Sequence, residues 1–273
     1  HQHYEPAPGA KRPTPQHVSE RFSQTLQDFY GGRVDELLAH PRYRLHIVTS
    51  RGRHLLAREH RAATPLGYLA AFLSNAMHRK AMGTWLERVV FSSPDPAQPT
   101  GTCAALPFGT HDFRTRQVLL TQANFMPALQ ASCSIPFVLQ AVQHIPGAPP
   151  GAYWDGGITD YHLHLQYRQL LDAIENGAES ALPVGASAQK GVQSAGLVLY
   201  PHFQPQVVPG WLDKSLKWRH KATSALDSVV LLAPDPDWVR SLPHGKLPDR
   251  QDFMHYGSDT AARVQAWQAA TAA

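Results

Sequence analysis

The sequence predicts an α/β fold. Helix-period and strand-period segments follow one another along its 273 residues, and 43% of them are hydrophobic, enough to fill a packed core. Two later runs, "LVLYP" and "SVVLLAP", are short, rich in Val and Leu and bounded by proline, the pattern of buried strands flanked by helices.

In "TPQHVSERFSQTLQDFYGG" the apolar residues Val18, Phe22, Leu26 and Phe29 recur at three and four residues, with Gly31 and Gly32 to stop the helix. "VDELLAHP" continues as a second short helix. "YRLHIVTSRG" alternates apolar and polar residues and reads as a strand. "TPLGYLAAFLSNAMHRKA" is the next helix, with Thr64 as cap and Pro65 at its first position. "WLERVVFSSP" and "RQVLLTQ" are further strands, joined by a long surface connection rich in proline and glycine. "NFMPALQASCS" is a helix that ends at Pro136, and "SDTAARVQAWQAATAA" closes the chain as a terminal helix.

We read residues 1–273 as one α/β domain. Residues 1–13, polar and rich in proline, resemble a linker or a processed start; residues 14–200 form the body, and residues 201–273 an extension of different character. Residues 175–196, small and without period, read as a mobile loop.

A net charge of +4 and a pI near 9.1 are a modest basic excess, spread along the chain, so no nucleic-acid partner is expected. No window approaches the roughly 18 apolar residues of a membrane-spanning helix, and no short apolar block behind a basic start suggests a secretory signal. Cys103 and Cys133 read as two core thiols in a reducing compartment. A cytoplasmic or peripheral-membrane location is expected.

One short stretch draws attention. In "YWDGG", Tyr153 and Trp154 should end a strand, and Gly156 and Gly157 should let the backbone turn sharply with positive φ, projecting the Asp155 carboxylate into a crevice at a strand end. Read alone, the same letters describe an ordinary Asp-Gly turn.

They do not stand alone. "ASCSIP", residues 131–136, and "YWDGGITD", residues 153–160, resemble the small-residue helix end and the Asp-Gly-Gly motif of the patatin-like phospholipase family, and "LVLYP" resembles the strand that follows. The resemblance implies a three-layer sandwich with a mostly parallel central sheet flanked by helices, incomplete on its amino-terminal side. It implies hydrolysis of a lipid or other carboxylic ester by a Ser-Asp dyad without any metal or organic cofactor. Asp155 is then the general base, Gly156 and Gly157 shape the turn that presents it, and Ser132, Ser134 and Trp154 line the pocket. Ser132 and Ser134 also suit packing at a helix end. A serine is a weak nucleophile until a base lies within hydrogen-bond reach, and partial burial beside Tyr153 and Trp154 would raise the basicity of a carboxylate.

The chain also departs from that family. No Gly-x-Ser-x-Gly elbow and no glycine-rich oxyanion loop occur in it, and "GASAQ" at Ser187 and "QSAG" at Ser194 are incomplete matches. The segment alone is therefore expected to be inactive, as the part that follows the elbow in a longer enzyme. The rival reading is a non-catalytic binding or scaffold module of the same fold. After the Asp-Gly-Gly motif, His162 and His164 alternate on one face, without a third ligand at a telling distance, and no metal is expected. In "GWLDKSLKWRHK" a helical projection gathers Lys214, Lys217 and Lys221 on one side and Trp211 with Trp218 on another, a pattern suited to a bilayer surface or, alternatively, to tryptophans in the core.

Overall fold

The computed structural model describes residues 14–98, 101–167, 197–249 and 251–273. The expected linker over residues 1–13 and the expected loop over residues 175–196, with Ser187 and Ser194, lie outside them. The chain divides into two compact units: His1–Gly196 with Val208–Ser228, and Leu197–Val207 with Val229–Ala273. One domain was expected over the same residues.

In the first unit α1 (Pro15–Tyr30) opens with Thr14, whose side chain accepts from His17 N, and α2 (Val34–Leu38) follows at once. The central sheet contains β1 (His46–Gly52), β2 (Leu86–Ser92), β3 (Thr115–Leu119), β4 (Val142–Gln143) and β5 (Ala152–Asp155), in the order β3-β2-β1-β5-β4. Between β1 and β2 runs α3 (Ala63–Met77), and α4 (Phe125–Ser132) and α5 (Gly157–Asp160) complete the unit. α3 starts earlier than Thr64 predicts. The Thr64 hydroxyl instead accepts the N–H of His60 at 2.8 Å, four residues upstream.

The mixed α/β class holds, but the sheet is not mostly parallel. Only β2 and β3 run parallel; β1 is antiparallel to both β2 and β5, and β5 to β4. The reason lies in the connection from β1 to β2. Although it carries α3, it leaves and re-enters the sheet at the same end: Gly52 pairs with Leu86, and Arg53 N–H donates to Trp85 O at 2.8 Å. A helix in the connection forces a parallel crossover only if the chain comes back to the opposite end.

Strand alternation divides the core between the two faces. Tyr153 joins Phe91, Val89, Phe125, Ala128 and Ala131 on the face covered by α4. Trp154 joins Leu56, Tyr68, Ala71 and Leu86 on the face covered by α3. β2 is buried along its whole length, including Glu87 and Arg88, so its charges need partners inside.

The second unit holds β6 (Val198–Pro201) and β7 (Val229–Leu232), paired in parallel. These are the two runs expected as buried strands. They are strands, but Leu199, Val230 and Leu232 are exposed, because a two-stranded sheet in this unit has only one covered face. The terminal helix, Thr260–Ala272, forms as predicted and is capped by Asp259, which accepts from Ala262 N.

Candidate functional site

Asp155 is the last residue of β5. Its Cα faces Thr49 of β1, and its N–H donates to Ser134 O at 3.0 Å. The "ASCSIP" and "YWDGG" segments are thus hydrogen-bonded neighbours. Asp155 is half-buried, and its Oδ1 accepts the N–H of Gly157 at 2.7 Å.

The glycines matter for space rather than for backbone angle. Gly156 has φ −60°, and neither Gly156 nor Gly157 is among the positive-φ glycines. This corrects the expected left-handed turn: the chain passes from strand directly into the helical turn α5, which any residue's backbone can do. A Cβ at Gly156 would lie 2.3 Å from Val48 O, and one at Gly157 would lie 2.9 Å from Asp155 Oδ1. Close packing of the turn on β1 and on the carboxylate itself therefore excludes side chains at both.

The serines do not face the carboxylate as reactive groups. Ser132 donates its hydroxyl to Val48 O at 2.8 Å, and Ser134 donates to Gln130 O at 2.9 Å. Thr49, opposite Asp155, donates to Val89 O at 2.9 Å. A hydroxyl has one hydrogen, so each of these donors is occupied. Ser132 and Ser134 secure the end of α4 next to β1 and β5. Trp154 is fully buried on the α3 face, in the core that backs the site.

Burial pushes the Asp155 carboxyl above the usual carboxylate range, against the opposing pull of the Gly157 N–H and the Lys214 ammonium. Lys214 itself lies over the Tyr161 ring, 4.0 Å from its centroid. Burial, and then the Asp155 charge, pushes the Cys133 thiol up to about 11. Cys133 and Cys103 are free and half-buried rather than core residues. Cys133 caps the end of α4, and Cys103 lies in the β2–β3 connection, paired with Pro94 in an isolated β-bridge.

Two features of the site were not legible in the sequence. The first is Tyr68 on α3, packed edge-to-face on Trp154, Phe137 and Trp211, with centroids 5.8, 5.7 and 6.1 Å away. Its hydroxyl and the Trp154 Nε1–H are buried without a hydrogen-bond partner among the described residues. Burial, with the charges of Glu59 and Asp155, raises the Tyr68 phenol, so it stays a neutral donor. Phe137, just after Pro136, holds φ +68°, a left-handed conformation that strains a bulky residue by roughly 1–3 kcal/mol and gathers at functional sites.

The second feature is the ionic anchor beneath α5. Arg88 of β2 is wholly buried and binds Asp160 through Nε at 2.7 Å and Nη2 at 2.5 Å. Its remaining bonds go to Asp112 and Thr115, at 3.0–3.2 Å. Arg79 reaches the same Asp160 at 3.2 Å and donates to Thr159 O at 2.6 Å. These contacts clamp the helical turn that begins two residues after Asp155. Burial penalises the Asp160 charge, but Arg88 and Arg79 more than offset it and hold the carboxyl below its usual range.

The remaining expected residues separate. His162 is buried, with Nδ1 accepting from Val208 N at 2.8 Å, while His164 Nε2 meets Thr223 Oγ1 at 2.7 Å. They do not share a ligand position, and among the described residues no group of three His, Cys, Asp or Glu is placed to hold a metal. The expected helix over "GWLDKSLKWRHK" is not formed. Two short 3-10 turns, Trp211–Asp213 and Lys217–Arg219, replace it, because buried Asp213 is drawn inward by Asn75 at 2.7 Å and Arg219 at 3.2 Å. The tryptophans part company accordingly: Trp211 packs against the α3-face core and Trp218 is 62% exposed. No helix among the described residues is long and apolar enough to cross a membrane.

Comparison with protein-family models, with curated proteins and with solved structures finds no match.

Proposed function

We propose that this chain carries the acid half of a Ser-Asp ester hydrolase of the patatin-like type, with Asp155 as the general base. The single observation that supports this best is a half-buried carboxylate at a strand end whose main-chain N–H is tied to the "SIP" segment and whose affinity for a proton is raised by burial. A base in that condition suits a serine attack near neutral pH. The hydroxyl proton passes to Asp155 as the serine oxygen bonds to the ester carbonyl carbon, and Asp155 returns it to the alkoxide oxygen, which leaves as the alcohol when the tetrahedral intermediate collapses. Water then attacks the acyl-enzyme and gives its proton to Asp155, which passes it to the serine oxygen as that oxygen leaves and the acid is released.

Within this reading Arg88 and Asp160 are positioning residues: they hold α5, and through it the Gly157 N–H that orients the Asp155 carboxylate. The Tyr68 hydroxyl, without a partner among the described residues, is a donor for a substrate oxygen. The attacking serine is neither Ser132 nor Ser134, whose hydroxyls are engaged elsewhere, as is that of Thr49. A substrate drawn from lipid esters accords with the aromatic cluster around Tyr68, which offers an acyl chain an apolar wall.

The test is hydrolysis of a chromogenic acyl ester by the product of the complete gene. Asp155→Asn, which keeps the shape but not the basicity, should lower kcat by roughly 100-fold or more. Undiminished hydrolysis by Asp155→Asn refutes the base assignment. The occupied hydroxyls around Asp155 favour one rival, a binding module of the same fold without chemistry; it predicts no hydrolysis by the unaltered protein with any acyl ester.

A further inference from the structure

The face of α3 turned away from the core is apolar, and its large side chains are exposed among the described residues. Leu66, Leu69, Leu73 and Met77 are exposed by 57%, 53%, 55% and 86%. At 3.6 residues per turn and 1.5 Å per residue these positions fall within about 80° of one another, so they form a single stripe about 17 Å long. The opposite face, Thr64, Gly67, Tyr68, Ala71 and Asn75, is the buried one. Nothing in the first unit requires four large apolar side chains to meet water.

Trp218 stands on a turn tied to the carboxy-terminal end of α3. The turn that carries it is fixed to α3 by Arg219, which donates to Ala76 O and Asn75 Oδ1, each at 3.2 Å. Trp218 is 62% exposed, one residue before this Arg219 anchor.

The surrounding charge is mostly positive. α3 itself has no charged residue over its 15 positions. Arg58 and Arg61 before it, Lys80 after it, and Lys217 and Lys221 on the adjoining turns are all exposed. From His54 to Leu86 the only acid is Glu59, and its carboxylate is engaged by the N–H of Ala141 at 2.9 Å. No acid occurs from Lys214 to Leu226.

An uncharged apolar helix face bordered by cations, with an indole at one end, has the chemistry of an element that lies in the headgroup layer of an anionic bilayer. We propose that the exposed face of α3, together with Trp218, docks this protein on an anionic lipid surface, with the helix parallel to the membrane plane. A protein partner or a second copy would be served by the stripe alone. The border of five exposed cations against one carboxylate is what selects a lipid surface of opposite charge. This docking stands apart from the hydrolase reading, since adsorption needs neither Asp155 nor a serine, and each can fail without the other.

The test is co-sedimentation of the 273-residue chain with sucrose-loaded vesicles of phosphatidylcholine alone and of phosphatidylcholine with phosphatidylglycerol. The chain should bind the anionic vesicles at least about 10-fold more tightly than the neutral ones. Leu69→Glu/Leu73→Glu, at two exposed positions that leave the core intact, should weaken that binding at least about 10-fold. Phe29→Glu, at an exposed apolar position on α1, is the control and should leave it unchanged; circular dichroism verifies the fold of each variant. Failure of the unaltered chain to bind anionic vesicles overturns the proposal, as does undiminished binding by the double variant. A concentration-dependent dimer that the double variant dissociates also overturns it, because the stripe then belongs to a second copy.

Discussion

Replacing Asp160 by Ala tests the anchor on which the candidate site rests. Arg88 is fully buried and makes five hydrogen bonds, two of them to Asp160. Without Asp160 its charge keeps only Asp112, whose side chain is partly exposed, and the Thr115 hydroxyl. Breaking a buried pair from one side leaves an uncompensated ion and costs about 3–5 kcal/mol. Against a total stability of about 5–15 kcal/mol that is a large fraction, and at roughly 2–4 °C per kcal/mol it lowers Tm by roughly 6–20 °C. Urea unfolding followed by circular dichroism measures it. The double variant Arg88→Met/Asp160→Leu should recover most of the loss, since both ions are then gone. Because Asp160 is held below its usual carboxylate range, its contribution is present above the unfolded-state value and disappears as pH falls through the folded-state value. The two proteins should therefore converge in stability on the acid side. A loss below about 1 kcal/mol at neutral pH, or a double variant no better than the single one, refutes the anchor.

Asp155 should behave in the opposite sense. Its folded-state affinity for a proton is raised, so its carboxyl favours folding below the unfolded-state value and that contribution is lost as pH rises through the folded-state value; Asp155→Asn should raise Tm at pH 7 and give no advantage in acid. Tyr68→Phe removes a buried hydroxyl without a partner among the described residues, and chemical denaturation should find it neutral or stabilising by up to about 1 kcal/mol. Cys133, with its thiol pushed up to about 11, should be alkylated by iodoacetamide far more slowly than a free thiol at pH 8, and Asp155→Asn should accelerate it.

The local elements were legible because their signals are local. Val18 and Phe22 mark α1 by period, and "YRLHIVTSRG" marks β1 by alternation. Strand direction was not legible, because it depends on where the chain re-enters the sheet after α3, a matter of the turns at Arg79–Thr84 rather than of helix propensity. Asp155 could be singled out by its two glycines, yet the reason for them is the approach of Val48 O, which no spacing in the sequence reveals. Arg88 carried a usable hint: a charge in the middle of the apolar strand "LERVVF" has to find a buried partner, although nothing local names Asp160 as that partner. The segment after Gly210 illustrates the limit of helical projection. Its tryptophans and lysines fit a helix on paper, but Asp213, pulled toward Asn75 and Arg219, breaks it into separate turns.

The assignment of Asp155 as a proton acceptor for a serine is tested most directly by a fluorophosphonate probe, which labels only a serine activated by a neighbouring base. The product of the complete gene should take up one probe on a single serine, and Asp155→Asn should lose that labelling while remaining folded. Labelling of equal rate in the Asn variant, or none in the unaltered protein, contradicts it.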